Sequence, residues 1–433
     1  MMLLRHGARA REAAMRASST ARKMSLIGLL PAEGPRRSLV TSTSSPQRPV
    51  YVASHGVVPV TRNAGAKIAD MGKQAIDDAL KASVLNKESI TAMYVGNMLS
   101  GILSNQQHVS PLIATAAGLN GIETSTIEAC CGSGGAALRW GYMAIASGMH
   151  ENVLVLGVEQ MTHCDRDSVT KGLATASHWE KEGAVGETFV SLNGKLMSMY
   201  MKKYGIGRER FAPFSLNAHK NALTSSHSTL KKNVSVEDYT KSNVVKEPVT
   251  IMDASPTCDG AAAVLLTSNK EIAKDKAGRV VRLAGSGASS DILAVDDRPD
   301  PLALVAVEKS LEEALRRSGL DRNSVDIFEL HDAYTIMACL CLESAGFASP
   351  GEGTFFAADG HIGLKGVLPI STFGGLKARG HPVGATGVYQ AAEMNMQLRE
   401  VAGENQVKGA RVAVTQNIGG AGASVYTHVF IQE

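Results

Sequence analysis

The sequence predicts an α/β protein made of two similar halves. Short segments that are apolar on both faces alternate with amphipathic helical segments, a pattern that indicates mostly parallel sheets covered by helices. The chain has 433 residues, of which 43 are glycine and 5% are aromatic, and this composition suits compact packing with many tight turns. A chain of this length holds two or three domains, and the pattern of its first half recurs in its second.

The repeat is visible at matched positions of the two halves. Ile76 and Leu311 lie in matching amphipathic helices 235 residues apart, and Cys131 and His381 each stand just before a helix, 250 residues apart. Two pairs of strands also match, 92–97 with 326–331 and 152–157 with 410–415. A loop insertion in the second half accounts for the drift in spacing, and self-similarity of this kind indicates a duplicated domain.

The predicted organisation has four parts. They are a leader (1–48), an N-terminal half (49–162 with 253–275), an inserted loop domain (163–252) and a C-terminal half (276–433). The insertion is polar and less periodic, and on a duplicated scaffold we expect it to cover the active face and shape substrate binding. Its methionine-rich stretch, 196–201, either contacts an acyl or pantetheine chain or, as we favour, packs in a helical core.

Residues 1–48 differ from the rest of the chain. They carry nine arginines and lysines against two glutamates, a local charge of +7, and are rich in serine and threonine. Such a leader resembles a mitochondrial transit peptide, so we expect the mature protein in the mitochondrial matrix. The alternative is a disordered basic tail. The whole chain carries +3, so the body alone carries −4 and offers no argument for nucleic-acid binding.

The composition also argues against two other classes of protein. No apolar run approaches the roughly 20 residues that a membrane helix needs, so no membrane span is expected. The six cysteines have neither the pattern of a secreted disulfide framework nor the spacing of a zinc site. We therefore expect no metal, and reduced thiols fit a mitochondrial matrix.

Cys131 stands at the head of a run of small residues, before a helix that we predict to extend to about Ser147. Unpaired N–H groups and the positive end of the helix dipole favour the thiolate there, which predicts a nucleophile. The alternative is a buried structural cysteine beneath a glycine-rich turn. His381 lies at the equivalent point of the second half, and a pseudo-twofold arrangement would bring the two side chains together.

Together these residues resemble the thiolase family. The turn Cys131-Gly132-Ser133-Gly134 is similar to its nucleophile motif, and GGLKARGHPVGATG at 374–387 is similar to its histidine loop. Residues 259–263, with Ser255 just before them, match the strand that follows its loop domain. The sequence Glu-Leu-His-Asp-Ala-Tyr at 329–334 resembles the variant of sterol-carrier-protein thiolases and archaeal acetoacetyl-CoA thiolases. The resemblance runs from about Val50 to the C-terminus, and we place the chain in that branch.

The resemblance implies a thiolase fold, with two α-β-α-β-α layered halves and an inserted loop domain. It also implies that acyl-CoA and CoA bind across the loop domain, that coenzyme A is a co-substrate with no cofactor bound permanently, and that the protein is a homodimer or homotetramer. Ser255 is expected to contact CoA. His219 is a candidate for the same role, although a packing histidine is its simplest interpretation.

The resemblance also implies catalytic roles. Cys131 would take the acyl group as a thioester, and His381 would deprotonate it. His331 would hold a water or the substrate so as to stabilise a thioester oxygen. A second oxyanion site would use a backbone N–H of the glycine loop 417–422, assigned to Gly419.

The chain departs from the family at its second cysteine. Typical thiolases place in the glycine loop a cysteine that moves the proton at the reacting carbon, and here Asn417 takes that place. Sterol-carrier-protein thiolases use a cysteine at the position that is Ala333 here. Asparagine exchanges no proton near neutral pH, so His331, His381 or a bound water must serve. A smaller departure is Ser371, where the histidine loop often begins with asparagine.

These residues predict an acetoacetyl-CoA thiolase, which cleaves a 3-oxoacyl-CoA with free CoA or runs the reverse condensation. The missing second cysteine keeps an alternative open, an acyltransferase that passes the Cys131 acyl group to a different nucleophile. A further alternative is a non-enzymatic acyl-CoA carrier or interaction subunit. The presence of both Cys131 and His381 argues against it, because a scaffold needs neither.

Overall fold

The computed structural model describes residues 47–63 and 65–433, so the predicted leader, apart from its last two residues, lies outside the described part. The strands, in chain order, are β1 (Tyr51–Val57), β2 (Ala92–Gly96), β3 (Glu123–Ile127), β4 (Asn152–Glu159), β5 (Val244–Lys246), β6 (Val249–Thr250), β7 (Gly260–Thr267), β8 (Val281–Ser290), β9 (Ile327–Glu329), β10 (Val412–Gly419) and β11 (Ser424–Gln432).

The helices alternate with these strands in most of the chain. They are α1 (Ile68–Lys81), α2 (Ser100–Leu103), α3 (Val109–Ala117), α4 (Ser133–Ala146), α5 (Arg166–Ala174), α6 (Phe189–Tyr204), α7 (Ala212–Ala222), α8 (Val236–Thr240), α9 (Val305–Ser318), α10 (Thr335–Ser344), α11 (Gly353–Ala358) and α12 (Thr386–Leu398). One π-helical turn, Gly375–Arg379, lies in the histidine loop just before His381.

Nine described strands form one sheet, in the order β3-β2-β4-β7-β1-β8-β11-β10-β9. The run β2-β4-β7-β1 of the first half corresponds to β9-β10-β11-β8 of the second, and each neighbouring pair has the same direction in both halves. The halves join where β1 pairs with β8. The predicted duplication is thus confirmed strand by strand, with β2 matching β9 and β4 matching β10.

Helices α4 and α12 pack on each other between the two parts of the sheet. Helix α4 contacts β2, β4 and β11, while α12 contacts β1, β7 and β10. Helices α1 and α3 cover the outer face of the first half, and α9 covers β8 and β11 of the second. The layers therefore follow the α-β-α-β-α order, and the N-termini of α4 and α12 meet at the centre of the molecule.

The expectation of mostly parallel sheets is wrong. Strand β2 is parallel to β3 and β4, and β9 is parallel to β10, but β7 and β11 run antiparallel to both of their neighbours. Strand β7 is buried along its whole length and β11 along its central part, because helices cover the sheet on two sides. A strand that is apolar on both faces gives no periodicity from which its direction can be read.

The segment predicted as a loop domain contains α5 to α8 and the small β5-β6 sheet. Its apolar side chains share a core with the C-terminal half, and Leu196 and Met197 of the methionine-rich stretch lie fully buried in that core. This supports core packing for the stretch. Among the described residues, no helix is both long and apolar enough to span a membrane.

Candidate active site

A cavity of about 380 Å³ opens where the turn before α4, the histidine loop and the inserted segment meet. Five of the six predicted site residues line it: Cys131, His331, His381, Ser255 and His219. The fold therefore brings together groups that lie up to 250 positions apart in the sequence. No carboxylate of the described residues contributes to its wall.

The turn that carries the cysteine is tightly constrained. Cys130 has a φ of +54°, in a left-handed region that a side chain rarely adopts. Its carbonyl accepts a 2.6 Å hydrogen bond from Ser133 Oγ, which closes the turn. An added Cβ on Gly134 would lie 2.8 Å from the backbone nitrogen of Gly387, so a glycine is required for this approach of α4 to α12. This close approach places Cys131 and His381 on one cavity.

The predicted resting thiolate at Cys131 is wrong for the unliganded protein. The side chain is 7% exposed, and burial raises the pKa of its thiol well above the usual range, with Cys130 and Glu159 acting in the same direction. A backbone N–H of Gly420 favours the anion but is outweighed. Because desolvation dominates over the helix terminus, Cys131 needs a base before it can attack.

His381 lines the same cavity as Cys131 and is the candidate for that base. Its Nδ1 lies 2.7 Å from Thr386 Oγ1, and that hydroxyl donates to the carbonyl of Pro382 at 3.3 Å. The hydroxyl proton is therefore used, so Nδ1–H donates to Thr386 and Nε2 keeps a free lone pair. Burial lowers the pKa of His381 well below its usual value, with His331 and Arg379 adding to the effect. The imidazole is neutral and ready to accept a proton.

His331 has the opposite tautomer. The backbone N–H of Ile418 donates to its Nδ1 at 3.2 Å, so the ring proton lies on Nε2. Burial, assisted by Arg379, lowers the pKa of His331 to about 3, which keeps the ring neutral. Its ring meets that of His381 edge-on, with centroids 5.1 Å apart. A neutral ring with an N–H available in the cavity is a hydrogen-bond donor and not a base.

Asn417 does not line the cavity. Its Nδ2 donates to the carbonyl of Cys131 at 3.0 Å, and its Oδ1 accepts from the backbone N–H of Gly135 at 2.9 Å. The same Nδ2 lies 3.4 Å from His331 Nδ1. The residue that replaces the family's second cysteine therefore connects the turn of Cys131 to His331. Sequence reasoning identified the missing thiol but not this structural role.

The glycine loop presents a different residue from the one expected. Gly420 lines the cavity and directs an N–H towards the Cys131 sulfur, whereas Gly419 does not contribute to the wall. Gly419 is the last residue of β10, where it pairs with Ser424. An added Cβ on Gly419 would lie 2.3 Å from the carbonyl of Ala129, so its glycine serves close packing.

The histidine loop is tied to the segment that carries His331. Asp332 accepts hydrogen bonds from Ser371 Oγ at 2.8 Å and from the backbone N–H of Leu376 at 2.6 Å. Ser371, the second departure from the family pattern, thus fixes the register between the two loops. Lys377 lies next in this loop and lines the cavity, a role that the sequence interpretation did not assign. The available signal was a lysine in a glycine-rich run directly before His381.

The two residues expected to contact CoA come from different segments, with Ser255 just beyond the inserted segment and His219 within it, on α7. The backbone N–H of Ser255 donates to the carbonyl of Ala333 at 2.9 Å, which positions the serine beside His331. His219 is buried in α7, and its Nδ1 lies 3.2 Å from the carbonyl of Lys232. Within the described residues no group of three or more His, Cys, Asp or Glu is placed to hold a metal ion.

Comparison with known proteins agrees with this geometry. A family model described as "Thiolase, N-terminal domain" matches residues 50–270, and one described as "Thiolase C-terminal domain-like" matches 287–432. An acetyl-CoA acetyltransferase of Methanothermobacter thermautotrophicus is 40% identical over 363 residues, which cover 84% of this chain and 93% of that protein.

Two more distant similarities complete the comparison. Sterol carrier protein 2 of Oryctolagus cuniculus is 29% identical over 369 residues, which cover 83% of this chain and 67% of that protein. The structure of human mitochondrial 3-ketoacyl-CoA thiolase in complex with CoA superposes with a TM-score of 0.69 at 20% identity, covering 89% of this chain and 98% of that one. This second similarity supports the fold alone. Because the first family model spans more than half of the chain and the archaeal relative matches most of it, the protein belongs to the thiolase family of acyltransferases.

Proposed function

We propose that the protein catalyses thiolysis of short 3-oxoacyl-CoA thioesters, with acetoacetyl-CoA as the simplest substrate, and the reverse Claisen condensation. The observation that carries the proposal is the convergence of Cys131, His381 and His331 on one cavity with complementary tautomers. Coenzyme A is a co-substrate that enters and leaves, and no permanently bound cofactor is required.

In the first half of thiolysis, His381 Nε2 takes the thiol proton and the Cys131 sulfur bonds to the 3-oxo carbon. The resulting oxyanion accepts the N–H of Gly420, which lies beside the sulfur. When the bond between carbons 2 and 3 breaks, its electron pair moves into an enolate whose oxygen accepts the Nε2–H of His331. An acyl group then remains on Cys131.

The enolate needs a proton, and His381 is the group that can supply it. His331 is unsuited because Ile418 occupies the lone pair of its Nδ1. His381 already carries the proton taken from Cys131, and delivering it to carbon 2 releases acetyl-CoA and restores the neutral imidazole. In the second half, His381 deprotonates free CoA, whose thiolate attacks the thioester and releases Cys131, which regains the proton.

A second candidate function follows from Asn417. The amide of Asn417 holds the cysteine turn and moves no proton. Acyl transfer through Cys131 needs fewer proton-transfer groups than making or breaking a carbon–carbon bond does, so it is less affected by the missing cysteine. The candidate is an acyltransferase that loads Cys131 and passes the acyl group to a nucleophile other than the enolate of acetyl-CoA.

One assay separates these candidates. Purified protein is mixed with acetoacetyl-CoA and CoA, loss of the substrate enolate absorbance is followed, and a long-chain 3-oxoacyl-CoA is run in parallel. We expect thiolysis of acetoacetyl-CoA together with an acetyl adduct on Cys131 by mass spectrometry. An adduct that forms from acetyl-CoA without any thiolysis would favour the second candidate, and an adduct on Cys130 or Cys164 alone would contradict both.

We also propose that the protein is imported into the mitochondrial matrix and that its leader is removed before Val50. The +7 charge of residues 1–48 supports this, and Arg48 already donates to the carbonyl of Ala146, so the folded domain begins close to the proposed cut. Deletion of residues 1–45 should abolish import and leave thiolysis unchanged. Cytosolic retention of the full-length protein, or inactivity of the shortened one, would contradict the proposal.

A homodimer or homotetramer is the proposed assembly. Strand β3 has an open edge in the described sheet, and Trp140 and Met143 on the neighbouring α4 are exposed. Exposed apolar side chains beside a free strand edge are typical of subunit contacts. Light scattering after gel filtration gives the mass directly, and a monomer at assay concentrations would contradict this assignment.

A further inference from the structure

The cavity wall contains a buried cation that the proposed reaction does not use. Lys377 is 3% exposed and lines the cavity, and no described side chain accepts a hydrogen bond from its ammonium group. Burial lowers the pKa of Lys377 to about 8, while Asp332 and Asp253 act on it only through space. An ammonium group held out of water without a counter-ion is costly, which points to a missing anionic partner.

The two nearest carboxylates are already occupied. Asp332 accepts from Ser371 and the backbone of Leu376, as described above. Asp253 accepts from the backbone N–H and hydroxyl of Thr250, from Thr335 Oγ1 at 2.6 Å and from the hydroxyl of Tyr239. Neither carboxylate can therefore turn towards Lys377 without breaking these bonds.

A second unpartnered polar atom faces the same space. His219 is 4% exposed, and its Nδ1–H donates to the carbonyl of Lys232, which leaves Nε2 buried without a partner. Burial, with the field of Lys377, lowers the pKa of His219 to about 4. An anion placed between the two side chains would accept directly from Lys377 and would favour a proton on His219 Nε2, which then also donates.

The remaining charges of the cavity locate this subsite. Arg62 and Arg166 also line it but are exposed, so they suit the phosphates of CoA at the entrance. The reacting end of the substrate is held by Cys131, His331 and His381, which line the same cavity. Lys377 and His219 line this cavity as well and have no part in the proposed steps, so they are left to bind an acidic group elsewhere on the substrate.

We propose that Lys377, with His219 beside it, binds a carboxylate at the far end of the acyl chain. The inference rests on the thiolase function proposed above and narrows its substrate class to 3-oxoacyl-CoA thioesters that carry a second acidic group. A charge-assisted hydrogen bond in a desolvated recess gives a preference of about 10- to 100-fold over a neutral chain of equal length.

The test compares 3-oxoadipyl-CoA with 3-oxohexanoyl-CoA, which has the same number of carbons without the carboxylate. In the wild type, kcat/KM for the acid should exceed that for the neutral substrate at least about 10-fold, and Lys377→Met should reduce this ratio to about one. Lys231→Met, an exposed lysine of the inserted segment, is the matched control and should keep the wild-type ratio. A wild-type ratio near one would overturn the proposal. A lower rate on both substrates with the ratio retained would overturn it too, and would assign Lys377 to the pantetheine chain instead.

A binding measurement covers the case in which Lys377→Met fails to fold or the protein fails to thiolyse either substrate. Calorimetric titration of the wild type with adipoyl-CoA and with hexanoyl-CoA should give a Kd at least about 10-fold lower for the acid. Equal Kd values would overturn the carboxylate subsite. If neither these ligands nor acetoacetyl-CoA acylates Cys131 while adipoyl-CoA still binds more tightly, the proposed reaction fails and the subsite stands.

Discussion

The two turns that precede α4 and α12 occupy equivalent positions in the duplicated fold but present opposite chemistry. One carries Cys131, whose pKa burial raises, and the other carries His381, whose pKa burial lowers. Desolvation is the largest cause in both, because it disfavours the charged form of whichever group it acts on. The same buried interface therefore keeps the acid and the base neutral until a substrate arrives.

The difference between the turns lies in how each is held. The histidine turn fixes its own side chain, through Thr386 in the first turn of α12. The cysteine turn depends on the other half of the molecule, since the amide of Asn417 and the N–H of Gly420 come from the glycine loop. The side chain of His381 is thus fixed from within its own turn, whereas the carbonyl and the sulfur of Cys131 depend on the glycine loop of the other half.

Removing the nucleophile should have the largest effect. Cys131→Ala should lower acyl transfer by about 10⁴-fold or more, because the sulfur is the covalent acceptor, while the fold stays intact after loss of one atom. Mass spectrometry with acetoacetyl-CoA should then show no acetyl adduct. Cys130→Ala is the matched control because it keeps the same backbone and a Cβ. Full activity of Cys131→Ala would show that Cys131 is not the nucleophile, and the comparison of the two turns as nucleophile and base would fail.

Removing the base should lower the reaction rate less than removing the nucleophile does. His381→Gln should lower kcat for thiolysis by about 10²–10⁴-fold, the usual contribution of general acid–base catalysis. His331→Gln should lower the rates of condensation and thiolysis. It should leave the rate at which iodoacetamide alkylates Cys131 unchanged, because His331 is a hydrogen-bond donor and not the base in this geometry. Equal loss of Cys131 alkylation in both variants would mean that His331 shares the role of the base.

The support of the cysteine turn can be removed separately. Asn417→Ala leaves the carbonyl of Cys131 and the N–H of Gly135 without their partner, so it should lower the free energy of unfolding by about 1–3 kcal/mol and slow acylation. Thermal unfolding and the rate of acetyl-adduct formation measure these effects. Asn417→Asp keeps the acceptor for Gly135 but sets a buried carboxylate oxygen against the carbonyl of Cys131, so it should slow acylation at least as much as the alanine variant.

Restoring a second thiol should give a smaller, positive effect. Ala333 lines the cavity whereas Asn417 does not, so Ala333→Cys places a thiol beside the substrate. We expect acetyl exchange between CoA and Cys131 to be faster than condensation in the wild type, and Ala333→Cys to narrow that gap several-fold, within the range of a general acid–base contribution. Asn417→Cys should slow both reactions. If the wild type already condenses as fast as it exchanges and Ala333→Cys adds nothing, His381 alone is sufficient.

The pH profile should show the smallest change. Since the pKa of His381 is lowered, its base form persists as the pH falls, and kcat/KM for acetoacetyl-CoA should stay level from about pH 8 down to about pH 6.5, the usual pKa of histidine. Glu159→Gln is the control, because burial raises the pKa of that carboxyl to about 7 and its carboxylate accepts from the backbone of Gly384 in the histidine loop. An acid limb near pH 7 that persists in Glu159→Gln would mean that His381 titrates at its ordinary value.

The sequence predicted the duplicated α/β architecture, because the offset between Ile76 and Leu311 is a property of the residues alone. It predicted the pairing of Cys131 with His381 for the same reason. It could not give the directions of β7 and β11, since the apolar pattern of a strand does not say whether it runs parallel or antiparallel to its neighbours. It also gave the wrong ionisation of Cys131, because a helix terminus is visible in a sequence while the degree of burial is not.

The finer features of the site were beyond the sequence for a different reason. The roles of Asn417 and Gly420 depend on contacts across nearly 300 positions, and only the tertiary structure says which glycine of a run faces the cavity. Lys377 lies in the histidine loop, a motif in which the sequence analysis assigned a role to His381 but none to the lysine. Its isolation from any counter-ion is a property of the surrounding side chains.

The bonds from Asn417 and Gly420 have a consequence for the order in which the protein is made. The nucleophile turn is synthesised in the first third of the chain, but the groups that position it are among the last to leave the ribosome. A nascent chain that has folded only its first half therefore carries Cys131 without these hydrogen bonds, because the glycine loop has not yet docked. The hydrogen bonds that position Cys131 therefore form only when nearly the whole chain has been synthesised.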